Sequence, residues 1–209
     1  MIGVLGGTFD PIHFGHLRPA LDCLQLLGLA QVRFIPLNHA VHRPQPVAPP
    51  PLRLAMLAAA IAGQPGFSVD ARELERPGGS FSYDTLASLR AELGTGLPLC
   101  LLLGGDAFRG FADWHRAREI LDLAHLVVMQ RPGVAGPLAP RLEVLCAGRT
   151  CDGPGALRTV PAGRILFQPV TQVDIASTRV RDLIRQGLST RYLVPDPVLA
   201  IIAQAGLYR

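Results

Sequence analysis

The sequence predicts an α/β protein with a doubly wound parallel sheet, built as a single domain over residues 1–209 with a small helical part at about residues 175–209. Short apolar runs alternate along the chain with segments whose apolar residues recur at helical spacing. The most apolar run, at 97–103, lies mid-chain, as expected of a central strand. Hydrophobic residues make up 49% and charged residues 17% of the chain, which is typical of a globular protein with a complete core.

The first elements set the topology. A strand at 1–5 leads through a glycine-rich loop into a helix with Leu17, Leu21 and Leu24 on one face, and a strand at 31–36 follows. This order predicts a right-handed parallel unit whose ligand lies at the carboxyl ends of the strands. Later strands are predicted at 67–69, 97–103, 125–129 and 164–169. Helices are predicted at 51–62 and 177–187, and another opens within 80–86 and runs toward residue 93. Between them, 134–163 is expected to be a long loop with one short helix at 141–146, and residues 72–76 a solvated edge.

Composition excludes several classes of function. The net charge is +4, and all 20 basic residues are arginine. Without lysine, a P-loop and Schiff-base chemistry are excluded. The arginines are dispersed among acidic residues, so no nucleic-acid partner is expected. No apolar run is long enough for a membrane span and no basic leader precedes one, which favours a cytoplasmic protein without membrane contact. The four cysteines show no CxxC spacing and are expected to be reduced.

The segment 6–16, GGTFDPIHFGH, is predicted to bind phosphate. Its first two glycines let the backbone approach a ligand, while Thr8 and the free N–H groups of the next helix favour an anion. His13 and His16 are three residues apart, so both rings can reach one side of the first helical turn. The alternative is a loop histidine and a capping histidine without a ligand.

A second anion site is predicted at the start of a late helix. Ser177 or Thr178 can cap this helix, and Arg181 shares their face at its positive end. The alternative is a capped surface helix with a basic face. Together with the histidine loop, however, the segment would form the second side of a triphosphate clamp.

Residues 13–16, HFGH, resemble the H-x-G-H signature of the nucleotidylyltransferase superfamily, and 175–181, IASTRVR, resemble its I-S-S-T-x-x-R segment. The segments 36–43, 80–86 and 104–116 are similar to those of the nicotinate mononucleotide adenylyltransferase branch. These matches extend from residue 6 to residue 208, so the resemblance covers almost the whole chain and implies the Rossmann-like nucleotidylyltransferase fold. The chain departs from the family pattern at Ala40, Val41, Phe81, Ser82 and Ala176.

The resemblance implies transfer of the adenylyl group of ATP to nicotinate mononucleotide, giving nicotinate adenine dinucleotide and pyrophosphate in NAD biosynthesis. A phosphomonoester has a second pKa of about 6, so the acceptor is already ionised and needs neither a general base nor a covalent intermediate. Mg²⁺ is expected to bind through the ATP phosphates, without a metal site of the protein's own.

The same resemblance assigns the site residues. The catalytic residues implied are His13, His16 and Arg181. The ATP-binding residues implied are Gly6, Gly7, Thr8, Phe9, Gly15, Gly104, Asp106, Arg131, Ile175, Ser177 and Thr178. The acceptor-binding residues implied are Asn38, His42, Arg43, Phe81, Ser82, Trp114 and His115.

Three other functions stay open from the sequence. One is a related adenylyltransferase that uses phosphopantetheine or nicotinamide mononucleotide as acceptor, and another is a cytidylyltransferase. The third is a nucleotide-binding sensor that keeps the fold without turnover. The sequence is compatible with either a monomer or a homodimer.

Overall fold

The computed structural model describes residues 1–41, 44–130 and 137–209. The strands in these ranges are β1 (Ile2–Gly7), β2 (Gln31–Pro36), β3 (Phe67–Val69), β4 (Leu99–Gly104), β5 (His125–Gln130), β6 (Thr150–Cys151) and β7 (Ile165–Pro169). They form one parallel sheet in the order β3-β2-β1-β4-β5-β7-β6. The predicted doubly wound parallel sheet is therefore confirmed.

Helices cover both faces of the sheet. Those described are α1 (Phe14–Leu26), α2 (Pro50–Ile61), α3 (Arg72–Glu75), α4 (Ser82–Leu93), α5 (Gly105–Arg109), α6 (Ala117–Leu123), α7 (Pro140–Cys146), α8 (Ser177–Arg185) and α9 (Asp196–Gln204), with 3₁₀ turns at Phe111–Asp113 and Pro154–Arg158. None of the helices in this part of the chain is long and apolar enough to cross a bilayer.

Side-chain alternation along the central strands fills two cores. Ile2 and Val4 of β1 face one hydrophobic cluster, while Leu5 faces the other. Leu101 of β4 pairs with Val4 and contributes to the same cluster as Val4. Because both faces of a parallel sheet are buried, these strands are apolar almost throughout. The order of strands reverses between β1 and β4, which is where such sheets bind ligands.

The prediction for 134–163 is only partly correct. The short helix is present as α7, whereas the expectation of loop alone around it is wrong, because β6 and the 3₁₀ turn Pro154–Arg158 follow. Thr150 of β6 pairs with Ile165 at the edge of the sheet. A two-residue strand carries no readable periodicity, since its conformation is fixed by pairing with β7. Residues 131–136 lie outside the described ranges.

The four cysteines are free thiols, as predicted. Cys23 on α1 and Cys100 on β4 are fully buried, and burial raises the pKa of each thiol to about 12. Both are therefore small core residues and not reactive thiolates.

Candidate active site

A cavity of about 610 Å³ lies at the carboxyl ends of β1 and β4. Residues from both predicted subsites line it. They are Gly6, Gly7, Thr8, Gly15 and Gly104 from the ATP-binding set, His16 from the catalytic set, and Phe81, Ser82, Trp114 and His115 from the acceptor-binding set. The fold therefore brings segments separated by more than 90 residues into one cavity at the point where the strand order reverses.

The histidine pair lies at the start of α1. His13 is the N-cap residue, with extended backbone, and its ring stacks on that of His16 with the centroids 3.7 Å apart. His13 is only 3% exposed. The Nδ1 atoms of both rings are buried and have no hydrogen-bond partner among the described residues. Both unpaired Nδ1 atoms therefore lie at the N-terminus of α1, where the backbone N–H groups favour an anion.

Both imidazoles are neutral at neutral pH. Burial lowers the pKa of His16 to about 4. Burial and the adjacent His16 ring lower the pKa of His13 to about 2. A neutral imidazole can still donate one hydrogen bond. An anion bound between the rings would favour the protonated form and raise both pKa values.

Glycine is required at two positions of the loop. A Cβ at Gly15 would lie 3.0 Å from the His13 ring and 3.0 Å from the carbonyl oxygen of Val173. A Cβ at Gly7 would lie 2.9 Å from the Phe9 ring. The glycine between the two histidines therefore leaves room for the His13 ring and for the chain that precedes α8.

Helix α8 packs against the same loop. The Ser177 hydroxyl donates to the carbonyl oxygen of Pro11 at 3.0 Å, and Nη1 of Arg181 donates to the carbonyl oxygen of Asp10 at 2.7 Å. The Nε of Arg181 is buried without a partner in the described ranges. The two segments predicted to form a clamp are therefore in direct contact.

The predicted side-chain cap of α8 is wrong. Ala176 is the N-cap residue, and no side chain caps this helix. The Ser177 hydroxyl is used instead to hold the histidine loop, and the Thr178 hydroxyl accepts a hydrogen bond from Arg181 at 3.4 Å. Ser177, Thr178 and Arg181 are not among the described residues that line the cavity.

The side of the cavity formed by the predicted acceptor-binding residues is aromatic. The Phe81 and His115 rings lie 4.6 Å apart, and Trp114, which is partly exposed, packs against Phe111 at 5.5 Å. The side chain of His115 is exposed. Flat aromatic surfaces that remain open on one side suit the binding of a planar heteroaromatic ring.

Several predicted residues lie away from the cavity. Phe9 is 1% exposed and packs against Phe34 and His16, so only its backbone could contact ATP. The side chain of Asp106 is 90% exposed and is paired with Arg109. Ile175 packs against the core. Three further residues of the predicted site, His42, Arg43 and Arg131, lie outside the described residues.

Asn38 makes hydrogen bonds beside the aromatic side of the cavity. Its N–H donates to the Ser80 hydroxyl at 2.9 Å, and its side-chain amide donates to the carbonyl oxygen of Arg76 at 3.3 Å. Ser80 lies next to Phe81, so these bonds join the loop after β2 to the start of α4. The amide of Asn38 is therefore occupied by protein contacts in this structure.

The expectation of a solvated edge at 72–76 is wrong for Glu73. Its side chain is buried and lines the cavity, and it accepts a hydrogen bond from the Thr85 hydroxyl at 2.6 Å. Burial raises the pKa of the Glu73 carboxyl. Glu73 lies among other charged residues in the sequence, so nothing in the local pattern predicts its burial. It is buried because α4, which carries Thr85, packs over it.

The described residues include no group of three or more His, Cys, Asp or Glu side chains arranged to hold a metal ion. The buried side-chain atoms without a partner at the histidine loop, among the described residues, are instead imidazole and guanidinium nitrogens. These suit phosphate oxygens better than a hard cation, which prefers oxygen ligands.

Comparison with known proteins agrees with this architecture. The family model described as cytidylyltransferase-like matches residues 4–183. A protein of Halorhodospira halophila named probable nicotinate-nucleotide adenylyltransferase is 48% identical over 207 residues, which cover 99% of this chain and 94% of the relative. One of the same name from Methylococcus capsulatus is 47% identical over 209 residues, covering 100% of this chain and 99% of the relative.

Solved structures show the same fold at much lower identity. Plasmodium falciparum nicotinic acid mononucleotide adenylyltransferase complexed with NaAD has a TM-score of 0.70 at 14% identity, with 99% of this chain and 96% of that chain covered. The family model and the two full-length relatives together determine the assignment. This chain therefore belongs to the cytidylyltransferase-like family and, within it, to the nicotinate-nucleotide adenylyltransferases, which are nucleotidyltransferase enzymes.

Proposed function

We propose that this protein transfers the adenylyl group of ATP to nicotinate mononucleotide, producing nicotinate adenine dinucleotide and pyrophosphate as a step of NAD biosynthesis. The names of relatives that are 47% and 48% identical over the whole chain support both the donor and the acceptor. The aromatic acceptor side of the cavity supports a planar pyridine ring as the group to be bound.

One observation carries the proposal. Within the described residues, the buried side-chain nitrogen and oxygen atoms that lack a partner are Nδ1 of His13, Nδ1 of His16 and Nε of Arg181. Buried polar atoms are almost always paired, so unpaired ones call for a reason. All three can donate hydrogen bonds to phosphate oxygens. They belong to two segments in contact with each other, and a polyphosphate bound there would satisfy them.

The chemistry needs no nucleophile from the protein. A phosphate oxygen of nicotinate mononucleotide, already ionised, bonds to the α-phosphorus of ATP. The bond from that phosphorus to the oxygen shared with the β-phosphate breaks, and its electron pair leaves with pyrophosphate. The task of His13, His16 and Arg181 is to align the phosphates and stabilise the charge that grows on the leaving group.

Mg²⁺ would enter the site bound to ATP. The donors around the histidine loop suit the phosphates themselves, so the phosphate oxygens would hold the ion and the ion would neutralise part of their charge. The Ser177 hydroxyl holds α8 beside the loop through the carbonyl oxygen of Pro11, while the Thr178 hydroxyl contacts Arg181 within the same helix. The free N–H groups at the start of α8 would then favour the same anion.

An acceptor panel tests the proposal. Pyrophosphate release would be measured with ATP and nicotinate mononucleotide, nicotinamide mononucleotide or phosphopantetheine, and again with CTP replacing ATP. We expect ATP with nicotinate mononucleotide to react fastest, with nicotinate adenine dinucleotide identified by mass. Faster reaction with another acceptor or with CTP would overturn the proposal. Tight ATP binding without release for any acceptor would identify a sensor.

A further inference from the structure

The carboxylate of Asp10 joins two distant parts of the chain, at residues 47–48 and 208, to the histidine loop. Its Oδ1 accepts hydrogen bonds from the Tyr208 hydroxyl at 2.6 Å and from the N–H of Ala48 at 3.1 Å. Its Oδ2 accepts from the N–H of Val47 at 2.8 Å. Asp10 is 2% exposed and Tyr208 is 5% exposed, so these bonds are shielded from water. Hydrogen bonds to a charged acceptor in a buried setting are among the stronger ones in proteins.

The same residue holds Arg181. Nη1 of Arg181 donates to the backbone oxygen of Asp10 at 2.7 Å and lies 3.7 Å from its Oδ2. The guanidinium of Arg181 therefore lies near the Asp10 carboxylate but too far from it for a hydrogen bond. That carboxylate is kept in place by donors from elsewhere, and the Nε of Arg181 has no partner among the described residues.

Tyr208 is suited to be a permanent donor to Asp10. Burial, together with the hydrogen bond to the Asp10 carboxylate, raises the pKa of Tyr208 well above its ordinary value. The phenol therefore keeps its proton throughout the neutral range. It is also 198 positions away from Asp10 in the sequence, so the bond joins the segment after α9 to the histidine loop.

Arg53 secures the neighbouring part of the loop independently. It is fully buried, and its guanidinium donates to the carbonyl oxygen of Thr8 at 3.0 Å and to that of Ala48 at 3.2 Å. Arg53 thus holds the backbone at Thr8, in the histidine loop, and at Ala48, whose N–H contacts Asp10, and neither bond needs Tyr208. Loss of the Tyr208 hydroxyl would remove the shortest of the three hydrogen bonds to the carboxylate and leave only the N–H groups of Val47 and Ala48 to hold it, while the loop stays anchored.

We propose that Tyr208 is a positioning residue for polyphosphate binding, which acts by holding the Asp10 carboxylate away from Arg181. Without the hydroxyl, only two backbone N–H groups restrain the carboxylate, one on each oxygen, and it can turn so that Oδ2 approaches the guanidinium now 3.7 Å away and forms a closer ion pair. A guanidinium engaged in that pair offers fewer donors to a phosphate group. This inference rests on the proposed function, because it requires Arg181 to bind the phosphates of the nucleotide.

A double-mutant cycle tests the inference. Calorimetry would measure the affinity for inorganic triphosphate of the native protein, Tyr208→Phe, Arg181→Gln and the double variant. We expect Tyr208→Phe to weaken binding about fivefold in the native background and less than twofold when Arg181 is replaced, since residues that act through one another are not additive. Arg181→Lys replaces Arg181→Gln if the latter does not fold. The control is Tyr192→Phe, whose side chain is 82% exposed and whose affinity should match the native protein.

Kinetics supply a second readout that a purely structural role would not produce. In Tyr208→Phe we expect the KM for ATP to rise about fivefold while the KM for the acceptor stays within twofold, because only the phosphate contacts change. Equal losses of affinity in both Arg181 backgrounds would overturn the inference, as would native affinity combined with a lowered unfolding temperature. Failure of the native protein to bind triphosphate would instead remove the proposed function, and this inference with it.

Discussion

The rings of His13 and His16 lie 3.7 Å apart, centroid to centroid, with their planes inclined by 31°. Two imidazoles in contact repel each other when both are charged, and both are neutral here because burial lowers their pKa values. Polyphosphate would reverse this preference by offering each ring an anionic partner. Protonation of His13 and His16 would therefore depend on whether an anion is bound at the start of α1.

Replacing His16 with alanine should slow turnover by about 100-fold or more, the usual scale for a preorganised transition-state donor. Steady-state kcat measured with saturating ATP and acceptor checks this. Phe14→Ala is the matched control, because Phe14 lies between the two histidines but is 38% exposed and does not line the cavity. Near-native turnover in His16→Ala would refute its role.

Acid should destabilise the protein through the histidine pair. The pKa of His16 falls from 6.5 to about 4 on folding, so the unfolded chain takes up the proton first as the pH drops. Stability is fully present above pH 6.5 and declines toward pH 4, and between pH 7.5 and pH 5 His16 alone should cost about 2 kcal/mol of unfolding free energy.

Urea unfolding at pH 7.5 and pH 5 measures this loss. His16→Asn, which does not titrate in this range, should lose correspondingly less stability between the two values. Inorganic triphosphate should restore stability at pH 5, because binding to the folded state raises its free energy of unfolding. An identical pH dependence in the native protein and the variant would show that His16 is not the titrating group.

Trp114 should stack on the pyridine ring of the acceptor. Trp114→Ala is expected to raise the KM for nicotinate mononucleotide about tenfold and to leave the KM for ATP within twofold, on the scale of aromatic stacking on a base. Trp114→Phe should lose less. Trp114 is the only tryptophan of the chain, so quenching of its fluorescence by nicotinate mononucleotide reports binding directly. Absence of quenching at saturating nicotinate mononucleotide would show that the pyridine ring does not stack on Trp114.

Gly15→Ala should displace the His13 ring. The added Cβ would meet that ring and a backbone oxygen, each at 3.0 Å, and the backbone has little room to yield. We expect kcat to fall at least about tenfold, as for other small misplacements of a catalytic group. The control is Gly155→Ala, where an added Cβ meets no atom within 4 Å. Equal activity of the two variants would show that His13 need not be fixed.

The sequence was sufficient for the features that depend on local spacing. Apolar runs and helical spacing predict the strands at the sheet centre and α1, and motif resemblance identifies the residues of both predicted subsites that line the cavity. Prediction from local sequence is wrong where a side chain bonds to a residue that is distant in the sequence. Ser177 was expected to cap its own helix, yet its hydroxyl donates to Pro11, 166 positions away.

The alternation of strands and helices, and the side chains that we propose to bind phosphate, can be predicted from residues that lie close together in the sequence. The burial of Glu73, the pairing of β6 with β7 and the hydrogen bond from Tyr208 to Asp10 appear only once the chain is folded. Each of these depends on which strands and helices become neighbours after the whole chain has packed. Spacing along the chain carries no information about such contacts, because their partners are distant in sequence and are selected by burial of the shared core.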